Sequence, residues 1–377
     1  MTGKELLNAN ILKTPIIRDN DDFSSFAIHF LHSYLATIRS VDDELKDHLA
    51  DRIPVIQDLC HGLIKSIESY YLGSISSAYQ SFCTAISGIG RYLWLDNPDI
   101  IVVFDEKNEK LLTENFFKVR AGSPRSFSKK EMFIRPFEQR EFINTYRYSI
   151  PGLPCLYLSS NMYTAWNELD CPDINTLQIS RFVLDKTLKK LRFGFNIEFW
   201  KTTAGADNPS TEKLYDFLTY FPLYAMCNIK VKNPTASFKP EYVFPQFLMQ
   251  WVKQEHRIDV VEYSSTKIDS GQFGNSSLTN NCRNLAIPAQ TIANIGPCTS
   301  LQQKIKLTDP ISWQGLKATY PNGNIPAKNI GENMNAFRIM RDILQLELIK
   351  GKPTWYGQTI FGQLEDYIID QMEPSFL

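Results

Sequence analysis

The hydrophobic spacing of this chain passes from helical to strand-like near Leu95, and that change constrains the fold more than any other feature. From about Asp21 to Leu95 apolar residues recur at helical spacing, with Phe26, Phe30, Leu31 and Tyr34 in one stretch and Ile64, Ile67 and Tyr71 in another, as in helices that bury one face. The turn signal Asn97-Pro98-Asp99 closes this region, and the run Ile100 to Phe104 after it has the β-branched content of a strand. Between roughly Asn115 and Gln290 short strand-like stretches alternate with turns: Phe116 to Val119, Leu156 to Leu158, Ile179 to Leu184, Ile258 to Tyr263 and Leu285 to Ile287. At least two helices interrupt them, from about Met162 to Leu169 and from about Pro245 to Gln254. Strands and helices in such mixed order predict an α+β unit and not a regular βαβ array.

A chain of 377 residues is too long for one typical core, so two or three units are expected. The period change divides it into a helical N-terminal domain over 1–110, an α+β domain over 115–290 and a C-terminal extension over 291–377. The extension carries two amphipathic helices, one through Met334, Phe337, Arg338, Arg341 and Leu344 and one from Ile360 to Ile369. Thr266 to Arg283, rich in Ser, Asn and Gly, reads as a long loop.

Composition excludes several classes. Hydrophobic residues at 43%, with 24 Phe and 17 Tyr, supply enough apolar surface for an ordered globular protein. A formal net charge of -1 gives no global excess with which to neutralise a phosphate backbone, so nucleic-acid binding is not indicated. The N-terminus lacks the basic-then-apolar pattern of a signal peptide and no apolar run is long enough to cross a bilayer, which predicts a cytoplasmic protein with no membrane partner. Seven cysteines without a C-x-x-C pair read as reduced thiols, mostly buried.

Phosphate-loop, nucleophile-elbow, zinc-protease and dinucleotide-fingerprint motifs are all absent. His29 and His32 sit three apart on a predicted helix, but no second pair lies near in sequence to complete a metal site. No metal and no resident cofactor are expected.

The informative stretch runs through Phe117-Lys-Val-Arg120, Met132-Phe-Ile-Arg-Pro136-Phe137, Arg147-Tyr-Ser-Ile-Pro-Gly152-Leu-Pro-Cys-Leu-Tyr157-Leu and Trp166-Asn-Glu168-Leu169. Arg120 closes a predicted strand and Arg147 opens a loop, where two guanidinium forks could converge on a pyrophosphate. Pro151-Gly152 turns the chain into Leu156-Tyr157-Leu158, and period-two alternation puts Tyr157 on the face opposite both leucines. Ser160 or Asn161 can cap the next helix, which carries Glu168 about two turns in. A stacking aromatic beside a carboxylate suits a nucleoside. Taken singly, each residue has an ordinary reading as surface ion pair, core tyrosine or solvated helix face; their arrangement carries the functional one.

The run resembles RES-domain proteins, named for their Arg, Glu and Ser residues, in the variant with a Met-Phe-x-x-Pro-Phe element. The likeness continues through Tyr242-x-x-Pro245-Gln246-x-Leu248, Ile258 to Tyr263, Ser264-Ser265 and Asn284-Leu-Ala-Ile-Pro288, so that it covers roughly Asn115 to Gln290. Where the family commonly has Gly-Gly-Arg-Trp-Asn, this chain has Thr145-Tyr146-Arg147-Tyr148-Ser149. The resemblance implies an ADP-ribosyltransferase-like fold and an enzyme acting on NAD, commonly a toxin paired with an antitoxin. It implies that Arg120 and Arg147 grip NAD, Tyr157 stacks on its nicotinamide side, Glu168 is the key carboxylate and Ser265 the serine, with Ser264 as the fallback and Asn284 in the binding site. NAD is then a substrate.

Cleaving the nicotinamide glycosidic bond builds positive charge on the ribose, which a nearby carboxylate stabilises. The expectation is an NAD glycohydrolase or phosphorylase in a toxin or phage-defence setting, restrained by an antitoxin or other regulatory protein. ADP-ribosyl transfer to a macromolecule and a catalytically silent nucleotide-binding module are the alternatives. The amphipathic helices leave oligomerisation open.

Overall fold

The computed structural model describes residues 1–42, 44–93, 95–96, 101–105, 108–112, 114–122, 125–193, 210–268, 282–321 and 345–377. These divide into two compact units. The protein is α+β with a helical N-terminal region, as the hydrophobic periods predict. No helix among the described residues is long and apolar enough to cross a membrane.

The first unit is helical and takes its described residues from Met1–Trp94, Tyr146–Tyr148 and Phe195–Gln254. Helix Phe23–Arg39 starts at Asp22, whose carboxylate accepts the amides of Ser24 and Ser25, and buries Phe23, Ala27, Leu31, Tyr34, Leu35 and Ile38 on one stripe. Helices Ile53–Tyr71 and Ile75–Ser87 pack closely where Gly62 meets Ala85, since a Cβ on Gly62 would lie 2.5 Å from that of Ala85. Helix Ser210–Cys227, which no amphipathic pattern announces because its residues 214–227 are nearly all buried, contains Pro222. Proline has no N–H to give the carbonyl four residues back; Tyr34 Oη donates to that carbonyl, Leu218, at 2.6 Å. Arg18 pairs with buried Glu241 at 2.8 Å and Arg52 with Asp216 at 2.6 Å.

Residues 210–254, expected inside the α+β domain of 115–290, therefore pack with the N-terminal helices. The predicted helix from Pro245 to Gln254 is present as Val243–Gln254, but in this unit.

The second unit takes its described residues from Leu95–Thr145, Ser149–Gly194 and Glu255–Leu377. Its strands are β1 (Leu95–Asp96), β2 (Ile101–Asp105), β3 (Asn108–Leu112), β4 (Phe116–Ala121), β5 (Cys155–Ser159), β6 (Leu177–Leu184), β7 (Lys190–Phe193), β8 (Val260–Ser264), β9 (Arg283–Pro288), β10 (Ile305–Leu307), β11 (Ile311–Ser312), β12 (Gln345–Ile349) and β13 (Lys352–Trp355). Nine of them form one sheet in the order β1-β7-β8-β9-β5-β4-β6-β10, with β11 also on β6; β2 with β3 and β12 with β13 form separate hairpins. Among the described residues of the large sheet, only β7 and β8 run parallel. One core holds Phe116, Phe133, Leu156, Leu158, Phe182 and Leu285; the other holds Phe117, Val119, Met162, Tyr163, Ile179 and residues of the C-terminal helix Ile360–Gln371. Alternation along β4 and β6 sends successive side chains to these two cores, while β5 gives Leu156 and Leu158 to the first.

The C-terminal extension is thus part of this unit: β10 pairs β6 and the Ile360–Gln371 helix packs in the second core. The predicted helix through Met334 to Leu344 and most of the predicted loop Thr266 to Arg283 lie outside the described residues.

Buried charges tie β7, β8 and β9 together. Glu262, fully enclosed, pairs with Lys190 at 2.7 Å and Arg283 at 2.9 Å, and Arg283 also reaches Glu114 at 2.6 Å. Burial alone would raise the Glu262 carboxyl, but Arg283, Lys190 and Arg192 outweigh it and hold the group well below the usual carboxylate range.

Candidate functional site

Glu168 is the last residue of helix Met162–Glu168. Asn161, and not Ser160, caps that helix, its side chain accepting the Thr164 amide at 2.8 Å. The chain leaves the helix abruptly: Asp170 and Cys171 both have positive φ, 61° and 53°, without a glycine to relieve the Cβ clash. Two adjacent residues in this region cost about 1 kcal/mol or more each, a form of strain that concentrates at functional sites. Lys267 offsets part of it by donating to the Glu168 carbonyl at 2.7 Å and pairing with Asp170 at 2.8 Å.

Three residues singled out from the sequence meet here. Ser265 Oγ donates to Glu168 Oε1 at 2.6 Å and Asn284 Nδ2 donates to the same oxygen at 2.7 Å. Among the described residues Oε2 receives no hydrogen bond. Ser159 Oγ donates to Asn284 Oδ1 at 2.6 Å, which turns the amide so that its NH2 faces Glu168. Ser265 is anchored through its own amide, which donates to the Cys282 carbonyl at 2.8 Å. The result is a carboxylate with one oxygen fixed by two donors.

The registers decide the serine pair. Asn284 lies opposite Ser159 on β5 and Tyr263 on β8, so these three share a face. Ser264 pairs with Arg283 and points to the other face, whereas Ser265 carries the bond to Glu168. Tyr157, two residues before Ser159, shares the Asn284 face and is half-buried between buried Leu156 and Leu158, the orientation that alternation predicts.

The pairing of β4 with β5 is interrupted beside Tyr157. β4 pairs β6 over six residues and β5 pairs β9 over five, yet β4 and β5 pair only at Phe117 and Ser159. The ladder stops before Val119 and Tyr157 would meet.

Arg120 borders that interruption from the other face and does not join the Glu168 cluster. Its Nη1 donates to the Glu131 carbonyl at 2.6 Å and its guanidinium lies 4.5 Å from the Phe127 ring centroid. Lys118, on the same face of β4, donates to the Phe133 carbonyl at 2.8 Å. Burial, then the guanidinium groups of Arg120 and Arg135, push Lys118 down to about 7. Arg147 belongs to the helical unit, where its Nη1 donates to the Cys227 carbonyl at 3.2 Å and its guanidinium lies 5.2 Å from the Tyr242 ring centroid. The expected convergence of Arg120 and Arg147 is therefore not a feature of either unit.

Sequence reasoning did not single out Ser159, Lys118 or Lys267. Ser159 follows Leu158 in a strand whose alternation already pointed Tyr157 outward, so that signal was available. Lys267 lies in the Ser-rich segment, where no pattern distinguishes it.

No family model matches this chain, and neither does any solved structure. The chain is 31% identical over 323 residues to the Bacillus subtilis (strain 168) protein named "Putative toxin YopC", an alignment that spans 82% of this chain and 70% of that protein.

Proposed function

Since this chain belongs to the family of the Bacillus subtilis protein "Putative toxin YopC", we propose that it is a toxin whose Glu168-centred site, of RES type, cleaves the bond between nicotinamide and ribose in NAD. The observation that carries the reading is the fixing of Glu168 by Ser265 and Asn284. A half-buried carboxylate held through one oxygen by two neutral donors suits stabilisation of a cationic ribose.

In the proposed reaction the N1–C1′ bond breaks and its electron pair passes to the pyridinium nitrogen, so nicotinamide leaves neutral. The ribose bears the positive charge, beside the Glu168 carboxylate. Water, which releases a proton to solvent, or phosphate then bonds to C1′, giving ADP-ribose or its 1-phosphate. Tyr157, on the Asn284 face beside the strand interruption, offers a ring on which nicotinamide stacks. Arg120, at the edge of the same interruption, is assigned the anionic diphosphate. Arg147, held by Cys227 and Tyr242, is given no part. A toxin that depletes NAD requires restraint in its own cell, for which an antitoxin or regulatory protein is the proposed partner.

The test is to incubate wild-type and Glu168→Ala protein with NAD, with and without inorganic phosphate, and to follow nicotinamide and ADP-ribose products. Release by wild type alone supports the reading, and phosphate dependence identifies phosphorolysis. A folded wild type that binds NAD and releases no nicotinamide overturns it.

A further inference from the structure

The helix that carries Glu168 has seven residues, too few to persist without outside support. Its first turn is held by side chains. Besides the Asn161 cap, Glu365 accepts the Met162 amide and Tyr356 Oη accepts the Tyr163 amide at 3.4 Å while donating to Glu365 Oε1 at 2.7 Å. Glu365 and Tyr356 are each 1% exposed, so these amides have no water to fall back on. Phe361, one turn before Glu365, packs edge-on against Tyr163 and lies 5.3 Å from the Trp166 ring. Gly362 lets the C-terminal helix run against Tyr356, whose carbonyl would lie 2.3 Å from a Cβ at this position. The two supports, Tyr356 and Glu365, are thereby locked to each other.

We infer that Glu365 is a positioning residue for Glu168, and that the C-terminal segment is a working part of the site. The inference rests on the proposed function, in which Glu168 is the reacting carboxylate. A buried carboxylate at the positive end of a helix favours one placement of the helix, and the opposite end carries Glu168. Seven residues span about 10 Å, so a small tilt at Met162 carries Glu168 off Ser265 and Asn284, and a misplacement near 1 Å is enough to cost about a hundredfold in rate.

The experiment compares full-length wild type with Glu365→Ala, Glu365→Gln and Tyr356→Phe, measuring kcat and KM for nicotinamide release and amide exchange in a peptide covering residues 160–170. Glu365→Ala is expected to lower kcat at least about tenfold with KM within about twofold, and to speed exchange about tenfold. Glu365→Gln, whose amide oxygen accepts the same bonds, is expected to restore both to within about threefold. Wild-type kcat in Glu365→Ala, or unchanged exchange, overturns the inference. If wild type releases no nicotinamide, the proposed function fails by itself; unchanged exchange in Glu365→Ala then also overturns the support of the helix by Glu365, and faster exchange upholds it. If Glu365→Ala does not fold, Tyr356→Phe, which keeps the carboxylate, must speed exchange and lower kcat, and wild-type behaviour of that variant overturns the inference.

Discussion

Asn284 Nδ2 donates to Glu168 Oε1 across 2.7 Å, joining side chains 116 positions apart in the chain. The amide is itself oriented by Ser159, so Glu168 is addressed by a donor that cannot turn away without breaking a second bond.

Asn284→Asp replaces that donor with a second carboxylate. Two carboxylates this close repel when both are ionised, so one of the two keeps a proton to higher pH. The acid limb of the pH–rate profile for NAD cleavage is expected to move to higher pH, with a loss at neutral pH of at least about tenfold. An unchanged profile would contradict the role assigned to the contact.

The adjacent serines should separate cleanly. Ser265→Ala removes a donor to Glu168 and is expected to lower kcat by about ten- to a hundredfold. Ser264→Ala, on the other face of β8, should leave kcat within about twofold. Steady-state kinetics on the two variants decide it; equal losses would mean that the register does not govern the site.

Glu262 sets an acid limit. Its carboxyl is held below the usual range in the folded protein and titrates near 4.5 when free. The stabilisation is therefore present above pH 4.5 and is lost as pH falls through the lower, folded value. Glu262→Gln should lose about 3–5 kcal/mol at neutral pH, because Lys190 and Arg283 are left short of a buried partner. Denaturant melts from pH 7 downward should show the gap between wild type and variant closing in acid.

Lys118 has the same sign of pH dependence as Glu262, in a window at higher pH. With a value of about 7 folded and 10.5 when free, the unfolded chain holds a proton between those limits that the native chain lacks. Stability from this group therefore rises as pH goes from 7 toward 10.5. Thermal melts of Lys118→Met should lack that rise relative to wild type, and parallel pH dependence of the two proteins would refute it.

In the helical unit, Tyr34→Phe removes the donor that serves the Leu218 carbonyl opposite Pro222. A buried carbonyl left unpaired costs about 1–3 kcal/mol, measurable as a lower denaturation midpoint. A midpoint unchanged from wild type would show that this carbonyl finds another donor.

Much of the α+β unit was legible locally. The runs read as strands at Phe116, Leu156, Ile179, Ile258 and Leu285 correspond to β4, β5, β6, β8 and β9; β5 alternates with period two, while β8 and β9, buried along nearly their whole length, are marked by short apolar runs between turns. β7 was not, since Lys190 is a charged residue buried only through its ion pairs with Glu114 and Glu262. The helix Ser210–Cys227 was hidden for a related reason: a helix buried on nearly every side has no polar face to set its period.

The sequence by itself determined the local geometry of the site: the outward face of Tyr157, the polar cap before Met162, and Glu168 two turns later. These follow from backbone periods and capping, which act over a few residues. Tertiary structure alone decided that Ser265 and not Ser264 meets Glu168, that Arg147 joins the helical unit, and that Glu365 supports the Glu168 helix from the C-terminal segment. Such pairings depend on sheet register and on which buried groups find partners, and both are set by contacts between residues far apart in the chain.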